Sequence, residues 1–372
     1  MCAALPLFVG SAKVQQKKTT WENANVAEFA IRAVRRAGGR DCGDGGKPRT
    51  AAAEKVAVGT GGSASDAPFY IAYDKGLFKD EGLDVDLIVL DSGAKVIAPL
   101  GTGELDVGSG ALSVGFWNAL IRGVKFRIVA DRGHTEPGYL YQTVFMRKDL
   151  IDSGQFKSLK DLKGMRMGFA AQGVTALSLL NEATKFAGIR FEDVTPVYLS
   201  FPQQIAALQN KALDGTMLIE PQATVAVNAG YGVRFMDTNE FYPHQQISVI
   251  FYSEKFATQR KDVAGRFMRA WLRGARLYND AIKDGKIAGV GADEVIATMA
   301  KSFNMNPGLV REMYSQAVDV DGAVNAAGIQ KDLDFFLKQG WVGGQMKASD
   351  VIDMSFAQQA SAALGPYQRK SQ

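Results

Sequence analysis

Residues 56–107 read VAVGTGGSASDAPFYIAYDKGLFKDEGLDVDLIVLDSGAKVIAPLGTGELDV, and the order of patterns in this stretch decides the fold. An apolar run from Val56 leads through a glycine-rich turn into a helix-like stretch ending at Gly82. The strand-like DVDLIVL (Asp84 to Leu90) follows, then a second helix-like stretch closing on Leu105-Asp106, then Val107. From Met165 the order returns: MRMGFA, a helix-like stretch to Gly188, the strand-like VTPVYL, a short helix, Leu213-Asp214 and TMLI. The marker glycines stand 106 residues apart and the Leu-Asp pairs 108. Two β-α-β-α-β units of similar size predict two similar α/β lobes. Ligands of such lobes sit beyond the carboxyl ends of the strands, where loops feed helix N-termini, so two facing lobes make a cleft.

Two further runs have a different character. YLYQTVFMRKD (Tyr139 to Asp149) and QISVIFYSEKF (Gln246 to Phe256) read as extended segments passing between the lobes. Rotation about two such crossings opens and closes a cleft at low cost. Beyond Phe256 the chain is mostly helical, and these helices are expected to buttress the first lobe. The predicted division is 54–143 with 247–372 as the first lobe and 144–246 as the second.

With 372 residues the chain exceeds the usual size of one core. An apolar fraction of 47% with 22% charged residues is ordinary for a soluble globular protein, and no run approaches the ~20 apolar residues of a membrane span. The net charge of +4 resides in residues 1–54, which hold nine Lys/Arg and five Asp/Glu; the remainder carries 34 of each. A neutral body argues against nucleic-acid binding through a broad basic face. Both cysteines, Cys2 and Cys42, lie in the same opening segment. The body therefore has no thiol nucleophile or disulfide, and with only His134 and His244 it has no His-rich metal centre.

Residues 1–53 read unlike the rest. ALPLFVG is short and lacks a preceding basic residue. RRAGGRDCGDGGKPRT stands where a secretory signal before Ala51-Ala52-Ala53 would have its apolar core. Two readings stand side by side: a misassigned start or frameshift before about Ala51, or a disordered basic extension. Neither contributes to the fold.

The ordered set PFYIAYDKGLFKDEGLDVDL, LGTGELDVGSGA, SLKDLKGMRMGFA, IAALQNKALDGTMLIEP, SEKFATQRKDVAGRFMRAW and LDFFLKQGWV resembles the periplasmic substrate-binding proteins of ABC transporters. The similarity is to the branch of alkanesulfonate, taurine, nitrate and thiamin-pyrimidine-precursor binders (NMT1/THI5-like), and it covers roughly Glu54 to Tyr367. It implies a type II-like two-lobed binding protein without a cofactor. Such a protein would be a periplasmic monomer that closes on a small organic ligand and presents it to a membrane permease and its ATPase.

The candidate ligand residues lie at strand-to-helix turns: Ser65 and Asp66, Ser92, Ser109 with Gly110 and Ala111, and Gly173-Val174-Thr175. Helix N-termini offer unpaired N–H donors and partial positive charge, so several converging on a cleft hold an anion without Lys or Arg. Each of these residues could equally serve only as a helix cap. By resemblance, Gly173 to Thr175 sit where the second lobe contacts ligand. Arg132, at the end of the first lobe's last strand, suits a carboxylate or sulfonate; the alternative is a solvated rim arginine. Glu220, after the second repeat's last strand, could accept from an amine or ring N–H, or form a hinge ion pair. Phe69 is the aromatic best placed to line the pocket, ahead of Trp117, Tyr139 and Tyr242, although most aromatics at helical spacing are core.

The expected function is therefore capture of a sulfonate, carboxylate or heteroaromatic compound, without bond chemistry. The alternatives are an enzyme on the same scaffold and a ligand-sensing domain. No Gly-x-Ser-x-Gly elbow, GKS/T loop or HExxH helix is present. The related fungal pyrimidine synthases carry a cysteine-rich motif that this body lacks. A regulator would need an N-terminal helix-turn-helix, which residues 1–50 do not supply.

Overall fold

The computed structural model describes residues 52–90 and 94–370; the readings of residues 1–51 and of Ser92 lie outside them. The first sheet comprises β1 (Glu54–Thr60), β2 (Leu83–Val89), β3 (Val107–Gly110) and β4 (Phe126–His134), interleaved with α1 (Ala67–Asp74), α2 (Leu77–Asp80), α3 (Ala94–Thr102) and α4 (Val114–Ile121). The second comprises β5 (Gln142–Arg147), β6 (Arg166–Phe169), β7 (Thr195–Tyr198), β8 (Gly215–Ile219) and β9 (Gly232–Asp237). Between them lie α5 (Lys148–Asp152), α6 (Thr175–Ala187), α7 (Phe201–Gln209) and α8 (Gln222–Asn228). The chain then returns through β10 (Gln246–Ser253) to α9 (Glu254–Gln259) and α10 (Lys261–Asp280). A small hairpin, β11 (Ile282–Lys283) and β12 (Lys286–Ile287), precedes α11 (Ala292–Ser302), α12 (Pro307–Glu312), α13 (Ala326–Lys338) and α14 (Ser355–Leu364).

The internal repeat is realised strand for strand. The first sheet has the order β2-β1-β3-β10-β4 and the second β7-β6-β8-β5-β9. In each, the first three strands are parallel and the fourth is antiparallel to both neighbours. That fourth strand is in both cases one of the two predicted crossings: β5 enters the second sheet directly from the first, and β10 returns. Each sheet is thus completed by the strand that connects it to the other, which gives the two-lobed fold its pair of hinge strands.

The first sheet is covered by α1, α10 and α14 around Phe69, Phe78, Phe267 and Trp271. Helix α10 buries Val263, Phe267, Met268, Trp271, Leu272, Ala275 and Tyr278 along one face, the spacing of an amphipathic helix. Gly274 lets α10 approach α1 closely, since a Cβ there would come within 2.5 Å of the Pro68 carbonyl oxygen. The C-terminal helices do more than buttress the first lobe. Ile329, Leu333, Phe335 and Phe336 of α13 belong to a buried cluster that runs from Ile128 and Phe251 of the first sheet to Val144, Met167 and Leu177 of the second lobe. Phe335 also stacks edge-on against Phe191, just beyond α6.

Candidate functional site

At the carboxyl end of β1 the glycine-rich turn leads into a short 3-10 turn, Ala64–Asp66, and then α1, with Pro68 in its first turn. Asp66 is wholly buried. One carboxylate oxygen accepts from Arg132 Nε at 2.8 Å and Ser109 Oγ at 3.0 Å; the other accepts from the Ser63 backbone N–H at 3.1 Å. Arg132 also donates to Ser63 Oγ at 2.9 Å. Asp66 therefore ties together residues at the ends of β1, β3 and β4. Arg132 is 5% exposed, so it is neither a solvated rim residue nor an unengaged cation: its charge is matched by Asp66, 2.7 Å away.

Ser65 Oγ lies 2.9 Å from Tyr141 Oη, and burial raises the Tyr141 phenol pKa, partly opposed by the Ser65 contact and the nearby Arg132. Tyr141 in turn accepts at its carbonyl from the Glu220 backbone N–H, 3.0 Å. Glu220 is buried and forms an ion pair with Arg234. Its other oxygen accepts from the Thr224 N–H at 3.1 Å, inside the first turn of α8. The guanidinium of Arg234 lies over the Tyr314 ring, 5.3 Å from its centroid.

The two lobes meet at the start of α4. The Val114 N–H donates to the Gly173 carbonyl, 2.8 Å, while the Phe116 N–H is held by its cap, Ser113. Gly173 has φ +74, and a Cβ there would fall 2.7 Å from Val114 Cβ, so glycine is required by conformation and by space alike. Val174 occupies the position before α6 without a side-chain capping bond, and Thr175, the helix's first residue, is buried. Gln245 Nε2 donates to the Thr175 carbonyl at 3.3 Å.

The structure thus gathers Asp66, Ser109 and Arg132 into one network, sets Ser65 on Tyr141, and sets Gly173 against the first lobe. Gly110 is a buried strand residue paired with Val249, whereas Ala111 is exposed beside the α4 start. Phe69 is a correction: it is wholly buried between Phe267 and Trp271, at ring-centroid distances of 6.3 and 5.8 Å, and belongs to the core. Trp117 is core for the same reason. Sequence reasoning passed over Tyr141, Arg234 and Gln245. Tyr141 is hidden inside a period-two run, and Arg234 is recognisable as a partner only once β9 is placed beside β5.

The anion-holding expectation is also modified. Of the expected helix starts, that of α4 has its Val114 and Phe116 N–H groups engaged by Gly173 and Ser113, and the cation Arg132 is engaged by Asp66. Among the described residues no three His, Cys, Asp or Glu side chains group as a metal site requires. Two surface depressions, of about 410 and 700 Å3, lie elsewhere: one between α1, α10 and α11, the other beside Gly101, Lys125 and Lys255. In the first, Lys75 pairs with Glu294 and Arg273 with Asp80, so its charges are already matched.

With this geometry in place, the comparisons decide the family. The NMT1/THI5-like family matches residues 63–284. The chain belongs to that family. A Brucella abortus protein named only as a binding protein is 27% identical over 215 residues, 57% of this chain and 62% of that relative, so the match spans less than two thirds of the relative's length. The 4-amino-5-hydroxymethyl-2-methylpyrimidine phosphate synthase of Aspergillus parasiticus is 29% identical over 131 residues, 35% of each chain. Among solved structures, the periplasmic aliphatic sulphonate binding protein SsuA of Escherichia coli superposes with TM-score 0.66 at 17% identity, covering 81% of this chain and 92% of its own. The periplasmic nitrate-binding protein NrtA of Synechocystis PCC 6803 gives 0.66 at 14%, covering 83% and 89%. At such identities the likeness establishes the periplasmic-binding-protein fold. No helix among the described residues is long and apolar enough to cross a membrane.

Proposed function

We propose that this family member is the solute-binding component of an ABC importer. It works in the periplasm as a monomer, with residues 54–143 and 247–372 closing against 144–246 over a small organic ligand for delivery to a permease. The observation that carries the reading is the bond from Val114, at a helix start of the first lobe, to Gly173, in front of the second lobe's α6. The loops expected to face a ligand meet across the cleft. Closure of this kind stores and presents a ligand, and it requires no reacting group.

Asp66 matches Arg132 and Glu220 matches Arg234, so neither pair offers an unmatched charge of either sign to a ligand; the sulfonate, carboxylate or heteroaromatic compound is instead held by helix-start donors such as those beside Thr175. The test is native mass spectrometry of protein purified without denaturation, followed by calorimetry and small-angle scattering with the compound that is released. A bound compound recovered unchanged, with compaction on rebinding, supports the proposal. Chemical turnover would replace it by a synthase-like activity.

A further inference from the structure

Both histidines of the chain, His134 and His244, meet at one carboxylate where the polypeptide passes between the lobes. His134 ends β4 on the way to β5, and His244 stands two residues before β10. The two stretches are paired there. The Thr135 N–H donates to the Gln245 carbonyl at 3.0 Å, the Gln245 N–H to Thr135 Oγ1 at 2.7 Å, and that hydroxyl to the Tyr242 carbonyl at 3.3 Å. Glu136 adds a side-chain bridge, with Oε2 2.9 Å from His244 Nδ1 and 3.7 Å from His134 Nε2. The spacing is not that of a metal site.

On its other side His134 is fixed by Asp131. Nδ1 lies 2.9 Å from Asp131 Oδ2, and a carboxylate only accepts, so Nδ1 carries the proton of the neutral ring. Asp131 is wholly buried and also accepts from the Gly133 N–H, the Asp319 N–H and Gln246 Nε2. In the neutral ring Nε2 is therefore bare, and its lone pair faces the Glu136 carboxylate. A second proton turns that repulsion into attraction and sets a cation between two carboxylates. His244, once charged, strengthens its own bond to the same Glu136 oxygen. Burial lowers the His134 pKa, but the bond to Asp131 and the charges of Asp131, Glu136 and Asp319 outweigh it and the value is raised. The other charged groups beside the paired stretches belong to α13. Lys331 stands over the Tyr242 ring and is engaged by Glu182, and the buried Asp332 lies 3.4 Å from Gln245 Nε2.

We propose that His134, Glu136 and His244 form a proton-operated clasp that ties the stretch entering β5 to the stretch entering β10, firm when the rings are charged and loose when they are neutral. Its bearing on closure rests on the two-lobed reading given above, in which the lobes turn about those two strands. The sign follows from the geometry. A histidine whose folded pKa is raised contributes stability that is complete below 6.5 and lost as pH climbs through the higher folded value. The crossings are thus held most firmly in mild acid and freed toward alkaline pH.

The chain holds only these two histidines, so proton NMR of the full chain without added ligand follows each ring, assigned through His134→Gln and His244→Gln. Glu136→Gln should lower the titration midpoint of both rings. Amide exchange, corrected for its intrinsic pH dependence, supplies the mechanical readout. At 134–137 and 242–247 the wild-type opening constant should rise about fivefold between pH 5.5 and pH 8.5, as a partly exposed ion pair implies. Glu136→Gln should remove that rise, whereas a merely structural glutamate would shift exchange equally at both pH values. Asp332 titrates near 6 beside Gln245 and is retained in the variant, so the difference between wild type and Glu136→Gln isolates the clasp. Midpoints that Glu136→Gln leaves unchanged, or an exchange difference that does not grow toward acid, overturn the proposal. If an assignment variant fails to fold, a soluble paramagnet tells the rings apart, reaching the 56% exposed His244 side chain before the 19% exposed His134. Glu136→Ala replaces the glutamine variant in the same case. Because no ligand is involved, recovery of no bound compound by native mass spectrometry would count against the transport reading alone.

Discussion

Asp66 and Arg132 form an ion pair with neither partner open to water, so each is the other's compensating charge. Replacing Arg132 by Met leaves Asp66 buried without its countercharge; equilibrium unfolding should show a loss of about 3–5 kcal/mol. Replacing both by apolar residues should recover most of it, and an undiminished loss in the double variant would mean that Ser63 and Ser109 depend on the carboxylate as well. Phe69 offers the converse test. It touches Phe267 and Trp271, so Phe69→Ala should cost about 3–5 kcal/mol of stability while the folded fraction keeps its ligand affinity. A selective loss of affinity would return Phe69 to the pocket. For Thr175, loss of the hydroxyl in Thr175→Val should weaken binding of the recovered ligand roughly ten- to hundredfold if that hydroxyl bonds a charged group, as ~1.5–3 kcal/mol implies. Unchanged affinity by calorimetry would remove the hydroxyl from the site.

Among the elements, the contact between α4 and the loop before α6 is the most demanding. Gly173→Ala places a Cβ against Val114 on a backbone with positive φ, a combined strain of about 1–3 kcal/mol. Because the clash exists only when the lobes meet, calorimetry should show weaker ligand binding with a smaller fall in thermal stability; an equal fall in both would place the strain within the second lobe alone. The junction of α13 with α6 carries a pH signature in stability too. An acid whose folded pKa is raised contributes stability that is present below its unfolded value and lost as pH rises through the folded one, here the window from 3.8 to about 6. Urea unfolding of wild type should therefore show about 1–1.5 kcal/mol more stability at pH 5 than at neutrality, with Asp332→Asn lacking that component. By contrast Lys331→Ala, a half-exposed partner of Glu182, should cost no more than about 1 kcal/mol.

Across the whole molecule, the buried cluster that includes Ile128, Phe251, Val144, Met167, Ile329 and Phe336 belongs to neither sheet alone. Unfolding one lobe would expose the α13 face that packs on the other. Calorimetry should accordingly show residues 52–370 melting in a single transition, raised by the recovered ligand in proportion to its occupancy; two separated transitions would show that α13 does not couple the lobes. The same continuity limits the opening motion. On the proposed closing motion, with β5, β10 and α13 joining the lobes, rotation would open the side where Val114 meets Gly173.

The repeat of apolar runs, glycine turns and Leu-Asp pairs was sufficient to specify two similar α/β units and the two extended crossings, because these depend on local periodicity and on turn chemistry carried by neighbouring residues. It also placed Ser65, Asp66 and Gly173 at strand-to-helix turns, whereas Ser109 lies within β3. What each side chain does there was decided by partners distant in the chain. Arg132 lies 66 residues from Asp66, Tyr141 is 76 from Ser65, and Asp332 is 87 from Gln245. An arginine at a strand end reads alike whether it awaits a ligand or faces a buried carboxylate, and Phe69 reads alike as pocket wall or core. Those distinctions rest on burial and charge pairing, which come into being only when the sheets and α13 are assembled.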